Sequence, residues 1–259
     1  MKQKVYEVAD LFHTTWKDLD DLTHIRVYML QQHALAIGSA HSEYGFVLIR
    51  ILRLLRKNVR LVDRINVPQA VDIYNDLKFL HQPWYYFPEL PAPLIKKPDP
   101  LLARTSFDQF IYADNEFTSF LALGTAETQE RYEHYLRRLA VTLYQPADEK
   151  IWDKECVEER EQQIKTINPE LLQLVFFTFG HVRNRVMDRC KTLLPRSLAK
   201  DEDKKKVHPT GRMWANLKHQ AAKTLVFGDF DKLGQTNMYS VLDHLEILSK
   251  EREEARGKH

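Results

Sequence analysis

The densest run of side chains able to do chemistry is His33, Ser39, His41, Ser42 and Glu43. A hydroxyl near an imidazole and a carboxylate is the raw material of nucleophilic catalysis, in which a base takes the hydroxyl proton. No Gly-x-Ser-x-Gly turn presents the serine here, and His41 next to Ser42 points a different way on a helix. These residues are expected as polar core or helix-junction positions. Metal chemistry meets a similar shortfall. The eleven histidines and the two cysteines, Cys156 and Cys190, form no His-x-x-x-His, HExxH or paired Cys-x-x-Cys pattern. The sequence offers no catalytic residue, no metal ligand set and no cofactor site, and the expectation is that the protein is not an enzyme.

Arg183-Asn184 resembles the start of the Arg-Asn-x-x-x-His motif of HEPN ribonucleases, but Asp188 stands where the histidine must be. Without an imidazole of near-neutral pKa the acid–base partner is missing. The stretch EKIWDKECVEEREQQ reads as a solvated helix face, with Glu159 and Glu161 beside Arg160 and Lys165. A better-formed feature is basic. Arg50, Arg53, Lys57, Arg60 and Arg64 recur three and four residues apart. At ~100° per residue they fall within an arc of roughly 80° on one helix face. Cations so arranged could contact nucleic acid, each releasing a counterion from a phosphate, or an acidic protein partner. They could equally be a solvated face balanced by neighbouring carboxylates. No aromatic residue interleaves them, so single-strand stacking has little support.

These residues need elements to hold them, and the periodicity is helical almost throughout. Thr15 with Asp18 opens a helix through TTWKDLDDLTHIRVYMLQQHALAIG, and a second runs from Glu43 to about Asn66. VPQAVDIYNDLKFL follows, with Pro68 in its first turn. Ser106 and Gln109 stand in the capping-box relation before FDQFIYADNEFTSFLALG, which Gly124 ends. AETQERYEHYLRRLAVTLYQ and DKECVEEREQQIKTI come next. Asn168 and Pro169 then start a helix running to Pro195, apolar around enough of its circumference to be the central buried one. Gly180 in its middle marks a close helix crossing. Two helices, RMWANLKHQAAKTLVFG and TNMYSVLDHLEILSKEREEARG, close the chain. KVYEV (Lys4 to Val8) could be a short strand.

Composition agrees with this reading. Eight glycines in 259 residues is about half the usual ~7% share, against glycine-lined phosphate loops and many-turned β architectures. A net charge of +2 from 38 basic and 36 acidic residues implies no bulk polyelectrolyte behaviour, so nucleic-acid binding would need a local patch. The opening MKQKVYEVADLF lacks the apolar core of a signal peptide, and no apolar run nears the ~20 residues that span a bilayer. A soluble protein of a reducing compartment, without membrane contact, is expected.

The helical pattern breaks once. LHQPWYYFPELPAPLIKKPDP, from Leu80 to Pro100, holds six of the eleven prolines and the run Trp84, Tyr85, Tyr86, Phe87. Proline removes donors and disfavours helix in the residue before it, so this segment must be extended. Its aromatics should dock, on the helical units they join or on a neighbouring subunit. The predicted fold class is all-α, with roughly eight to ten helices in two packed helical units joined by this proline/aromatic-rich extended segment. The units span residues 1–80 and 105–259, the connector 81–104, and an exposed charged loop about 196–210.

Several stretches together carry a resemblance: TTWKDLDDL, INVPQAVDIYNDLKFLHQPWYYFPEL, TSFDQFIYADNEF, YLRRLAVTLYQP followed by EEREQQIKTINPELLQLVFFTFG, and FGDFDKLGQTNMYSVLDHLEILSKE. In that order they resemble proteins encoded in the structural and tail-assembly modules of tailed phages and prophages of Bacteroides-type gut bacteria. The resemblance implies a non-enzymatic role in virion morphogenesis, as a tail or neck component or an assembly chaperone. The implied partners are other phage structural or assembly proteins, or further copies of the chain, in the bacterial host cytoplasm during assembly or in the virion. The residues expected at protein interfaces are Trp84, Tyr85, Tyr86 and Phe87, with Leu242, Leu245, Ile247 and Leu248 of the terminal amphipathic helix. The alternative is a nucleic-acid-binding accessory protein using Arg50 to Arg64.

Overall fold

Several helices begin where a side chain supplies an acceptor to the first turn, as Asp20, Asn66, Ser106, Thr128, Asn168 and Asp229 do. In a computed structural model, which describes residues 12–39, 41, 43–57, 65–82, 85–90, 95–123, 127–146, 152–190, 193 and 211–257, ten α-helices alternate with short 3-10 turns. The protein is all-α. Among the described residues the extended pairing is a two-residue antiparallel ladder, Ile95–Lys96 on Gln145–Pro146, and two isolated bridges. The chain divides into two units, Met1–Trp84 and Tyr85–His259. The candidate strand at KVYEV, the charged loop at 196–210 and the helix stop at Gly124 lie outside the described residues.

The first unit is built from α1 (Asp21–Ile37), α2 (Tyr44–Leu55) and α3 (Val67–Asp76). The first helix starts later than Thr15 suggests. Trp16–Asp18 is a 3-10 turn, and the Asp20 carboxylate caps α1 by accepting from Thr23 N–H at 2.9 Å. The second helix ends at Leu55 instead of continuing to about Asn66. The Leu55 carbonyl accepts from His13 N–H at 2.8 Å, and Arg56 is extended, bridging to the fully buried Phe12. A tertiary donor has taken the bond that a further helical turn would have used. Asn66 and Gln69 form the reciprocal capping box of α3, with Pro68 in its first turn.

Ile25, Leu48, Ile51, Leu52, Leu55 and Ala70 are fully enclosed in this unit. Buried Gln31 fastens it, donating from Nε2 to the Leu80 carbonyl at 2.9 Å and to Tyr74 Oη at 3.2 Å. Gly45 lets α2 approach α3 closely. A Cβ there would stand 2.2 Å from Val67 Cγ1, on a stiff β-branched side chain. Gly45→Ala is therefore expected to destabilise the first unit by about 1–3 kcal/mol despite alanine's better helix propensity. Urea unfolding of Gly45→Ala, Val67→Ala and the double variant checks this. Val67→Ala should recover most of the Gly45→Ala loss, and simple additivity of the two costs would contradict the clash.

The second unit holds α4 (Phe107–Leu121), α5 (Gln129–Leu143), α6 (Val157–Gln163), α7 (Pro169–Arg189), α8 (Gly211–Lys223), α9 (Phe230–Gln235) and α10 (Met238–Gly257). Ser106 caps α4 through Gln109 N–H at 3.3 Å, but the Gln109 side chain does not complete a box. It is buried and donates to the Thr142 carbonyl at 2.7 Å, tying α4 to α5. Asn168 caps α7, with Pro169 at its first position, and the helix stops at Arg189 rather than Pro195. It is the central helix, with Leu172, Val175, Phe179, Val182 and Val186 enclosed in the core. The close crossing at Gly180 is present, since a Cβ there would lie 3.3 Å from the Phe117 ring of α4. The short α9 had no separate signal in the sequence.

Around α7 the core is aromatic. Phe117 stacks on Phe176 with centroids 4.5 Å apart, and Phe110 meets Trp214 edge-on at 5.5 Å and Phe179 at 6.0 Å. Inside this shell sits an ion pair. Fully buried Asp114 accepts from Arg183 Nε and, at 2.6 Å, from Trp214 Nε1. The Arg183 guanidinium lies 5.5 Å from the Phe117 ring centre, and its Nη2 is buried without a hydrogen-bond partner among the described residues. One carboxylate thereby joins α4, α7 and α8. The starts of α4 and α10 are paired as well, by Phe107 N–H to the Thr236 carbonyl and Met238 N–H to the Thr105 carbonyl.

Candidate functional site

The residues singled out from the sequence do not converge. His33, Ser39, His41 and Glu43 are exposed around the turn between α1 and α2, and Ser42 lies outside the described residues. The contact among them is local, Glu43 N–H donating to His41 Nδ1 at 3.3 Å. Arg50 and Arg53 are exposed one turn apart on α2, but the helix end at Leu55 corrects the expected stripe. Lys57 lies past that end, exposed, and Arg60 and Arg64 lie outside the described residues. Among the described residues the helical part of the face is Arg50 and Arg53.

The aromatic run is divided between the core of the second unit and its surface. Phe87 is enclosed, edge-on to Tyr144, and Tyr144 Oη donates to the Pro88 carbonyl at 2.5 Å. Thr178 of α7 donates to the Tyr86 carbonyl at 3.4 Å. Tyr85 is half-buried, Tyr86 exposes its side chain, and Trp84 lies outside the described residues. This corrects Phe87 as an interface residue and makes residues 85–90 part of the second unit's packing. Leu242 and Leu245 need the same correction. They are core residues, Leu248 is half-buried, and the large apolar residue of that group turned outward is Ile247.

Exposed bulk gathers elsewhere, at the turn between α8 and α9. Leu225 is 73% exposed, Val226 61% and Phe230 47%, and on α10 Ile247 is 55% exposed. The turn is fastened, not loose. Thr224 N–H and Oγ1 both reach the Ala221 carbonyl, and Gly228 N–H reaches the Leu225 carbonyl at 3.2 Å. Phe227 lies edge-on to His244 of α10 at 5.4 Å, and His244 Nε2 contacts Thr224 Oγ1 at 3.3 Å. Leu225 has φ +56°, a left-handed conformation that costs leucine about 1 kcal/mol or more where glycine would sit easily. A leucine held in that conformation and turned to solvent gains nothing from its own core. Sequence periodicity could not find this surface, because TLVF reads as the end of an amphipathic helix.

A second feature that the sequence hid lies between α5 and α6. Glu161, read above as a solvated position, is buried, and its Oε1 accepts from His134 Nδ1 at 2.9 Å and Arg137 Nε at 3.3 Å. Beside it Arg138 Nε donates to Glu116 at 2.9 Å, and its Nη2 donates to Tyr112 Oη. Burial pushes the Glu116 carboxyl upward, and Arg138 opposes that shift. His134, Arg137, Arg138 and Glu161 border a groove of about 510 Å³, which Arg131, Glu158 and Lys165 also line. Each arginine of the network has a glutamate partner, so the groove balances its own charge and serves first to hold α6 on α5.

Among the described residues no three side chains are grouped to hold a metal ion, and no helix is long and apolar enough to cross a membrane. The fold and its surfaces define an all-α protein of two helical units, with exposed apolar residues grouped at a fastened turn of the second unit and others, such as Phe46, standing singly. No protein-family model, curated protein or solved structure matches the chain.

Proposed function

We propose that this protein acts through protein–protein contacts in virion morphogenesis, as a tail or neck component or an assembly chaperone of a tailed phage or prophage. The phage setting rests on the resemblance of the stretches quoted above. The contact role rests on one observation, the apolar turn formed by Leu225, Val226 and Phe230. A bulky apolar surface on a fastened backbone is what a partner protein can bury without ordering a loop first. The surface a partner would cover is therefore this turn, in place of the enclosed Phe87, Leu242 and Leu245.

The test is the mass of the purified protein by light scattering, alone and after co-expression with its genomic neighbours. A stable complex with a defined neighbour, or a closed oligomer, is the expected result. Leu225→Asp with Val226→Asp should weaken that complex at least ~100-fold, the scale of a lost interface anchor. Its melting temperature should stay within a few degrees, because both side chains are exposed. A monomer that joins none of its neighbours, or a complex indifferent to the two aspartates, would overturn the reading.

A further inference from the structure

We propose that the hollow around Arg185 is a binding site for a carboxylate presented on a peptide, next to an apolar side chain. The hollow, about 570 Å³, is lined by Pro100, Leu101, Ala103, Arg185, Arg189 and Tyr239. It shares no residue with the Leu225–Val226 surface and is tested apart from it.

Arg185 and Arg189 are one turn apart on α7, so their heads stand on the same side of the helix. Their situations differ. Arg189 is neutralised, donating from Nε and Nη2 to the two carboxylate oxygens of Asp243 at 2.9 and 2.6 Å, and it lies 5.1 Å from the Tyr239 ring centre. Arg185 lies 5.2 Å from the Tyr85 ring centre and pairs with no carboxylate among the described residues. The pair thus leaves one uncompensated guanidinium, held against an aromatic face. Such a fork matches the two oxygens of a carboxylate, with stacking to fix its plane. A single unbalanced positive charge suits a monoanion better than a phosphate dianion.

The opposite wall is held in an unusual backbone. Leu101 and Leu102 both have positive φ, +61° and +57°, a left-handed pair that leucine rarely adopts. It is held from outside: Tyr239 Oη donates to the Leu101 carbonyl at 2.7 Å and Asn237 Nδ2 to the Ala103 carbonyl at 2.6 Å. The effect is to send Leu102 into the core and leave Leu101 beside Pro100 at the hollow. Strained backbone held by its neighbours recurs at ligand sites. Here it sets an apolar wall opposite the arginine, which is why the ligand is assigned a carboxylate and an apolar group together. That chemistry occurs at a chain's C-terminus and at an acidic side chain within an apolar segment.

Calorimetric titration of the full chain with three probes tests the site: acetyl-Leu-Phe with a free carboxylate, the same dipeptide as its amide, and acetyl-Glu-Phe amide. At least one carboxylate probe should bind at least ~10-fold more tightly than acetyl-Leu-Phe amide, the scale of one charge-assisted contact. Which of the two binds identifies the source, terminal or side-chain. Arg185→Gln, an exposed change, should lower that affinity by the same factor. Equal binding of acid and amide, indifference to Arg185→Gln, or no binding of either carboxylate probe at about 10 mM would overturn the proposal. So would inorganic phosphate binding to the same site more tightly than both acids.

Discussion

Replacing Asp114 with alanine is expected to destabilise the second unit by about 3–5 kcal/mol, the usual cost of leaving a buried charge without its partner. Asp114 is fully buried and answers two donors at once, Arg183 Nε and Trp214 Nε1. The alanine variant would strand a guanidinium and an indole N–H in an aromatic core, where no water replaces the lost acceptor. Against a typical total of about 5–15 kcal/mol for a domain, that loss is a large share. Urea unfolding followed by far-ultraviolet circular dichroism measures it. Asp114→Ala combined with Arg183→Met should be more stable than Asp114→Ala alone, because the second change removes the stranded charge. A loss below about 1 kcal/mol for the single variant would mean that the pair is not desolvated as its burial requires.

Acid should weaken the first unit through His24. The residue is 5% exposed, its ring stacks on Trp16 at 4.5 Å, and Phe79 meets Trp16 edge-on at 5.1 Å. Burial pushes the imidazole pKa from 6.5 down to about 4, and the nearby Asp20 charge opposes only part of that shift. The unfolded chain therefore takes up a proton near pH 6.5 that the folded unit refuses until about pH 4. Stability is complete above that window, falls as pH drops through it, and levels off below. The limiting loss is on the order of 3 kcal/mol. Denaturant unfolding of wild type and His24→Phe between pH 7 and 4 isolates the effect, since the other titrating groups are common to both. The wild type should lose stability relative to the variant as pH falls. Parallel curves would show that His24 titrates alike in both states.

The helical class was legible in the sequence because it rests on local terms. Apolar spacing, the Asn66–Gln69 box, Asn168 with Pro169, and Ser106 before α4 all act within four residues, and the structure uses each of them. Even the crossing at Gly180 could be read, since glycine inside a long apolar helix has few other reasons to be there. Where residues 43–66 were read as one helix, the pattern was no guide. Leu55 stops because His13, far away in sequence, supplies its carbonyl with a donor. The single-helix stripe is interrupted with it at Arg56, for a face drawn on a helical wheel exists only as far as the helix does.

Partnerships between distant residues decided the rest. Asp114 and Trp214 are a hundred positions apart, and Glu161 lies in a run whose composition says solvent although its carboxylate is buried against His134 and Arg137. Composition reports how many charges a helix carries but not which of them meet. The same holds for apolar residues. WYYF and the leucines of α10 looked like contact surfaces, yet Phe87, Leu242 and Leu245 fill the core, while Leu225 and Val226 stand in solvent. Amphipathic spacing determines that a side will be covered. Only tertiary packing determines what covers it, because burial depends on which elements arrive opposite, and that depends on the whole chain.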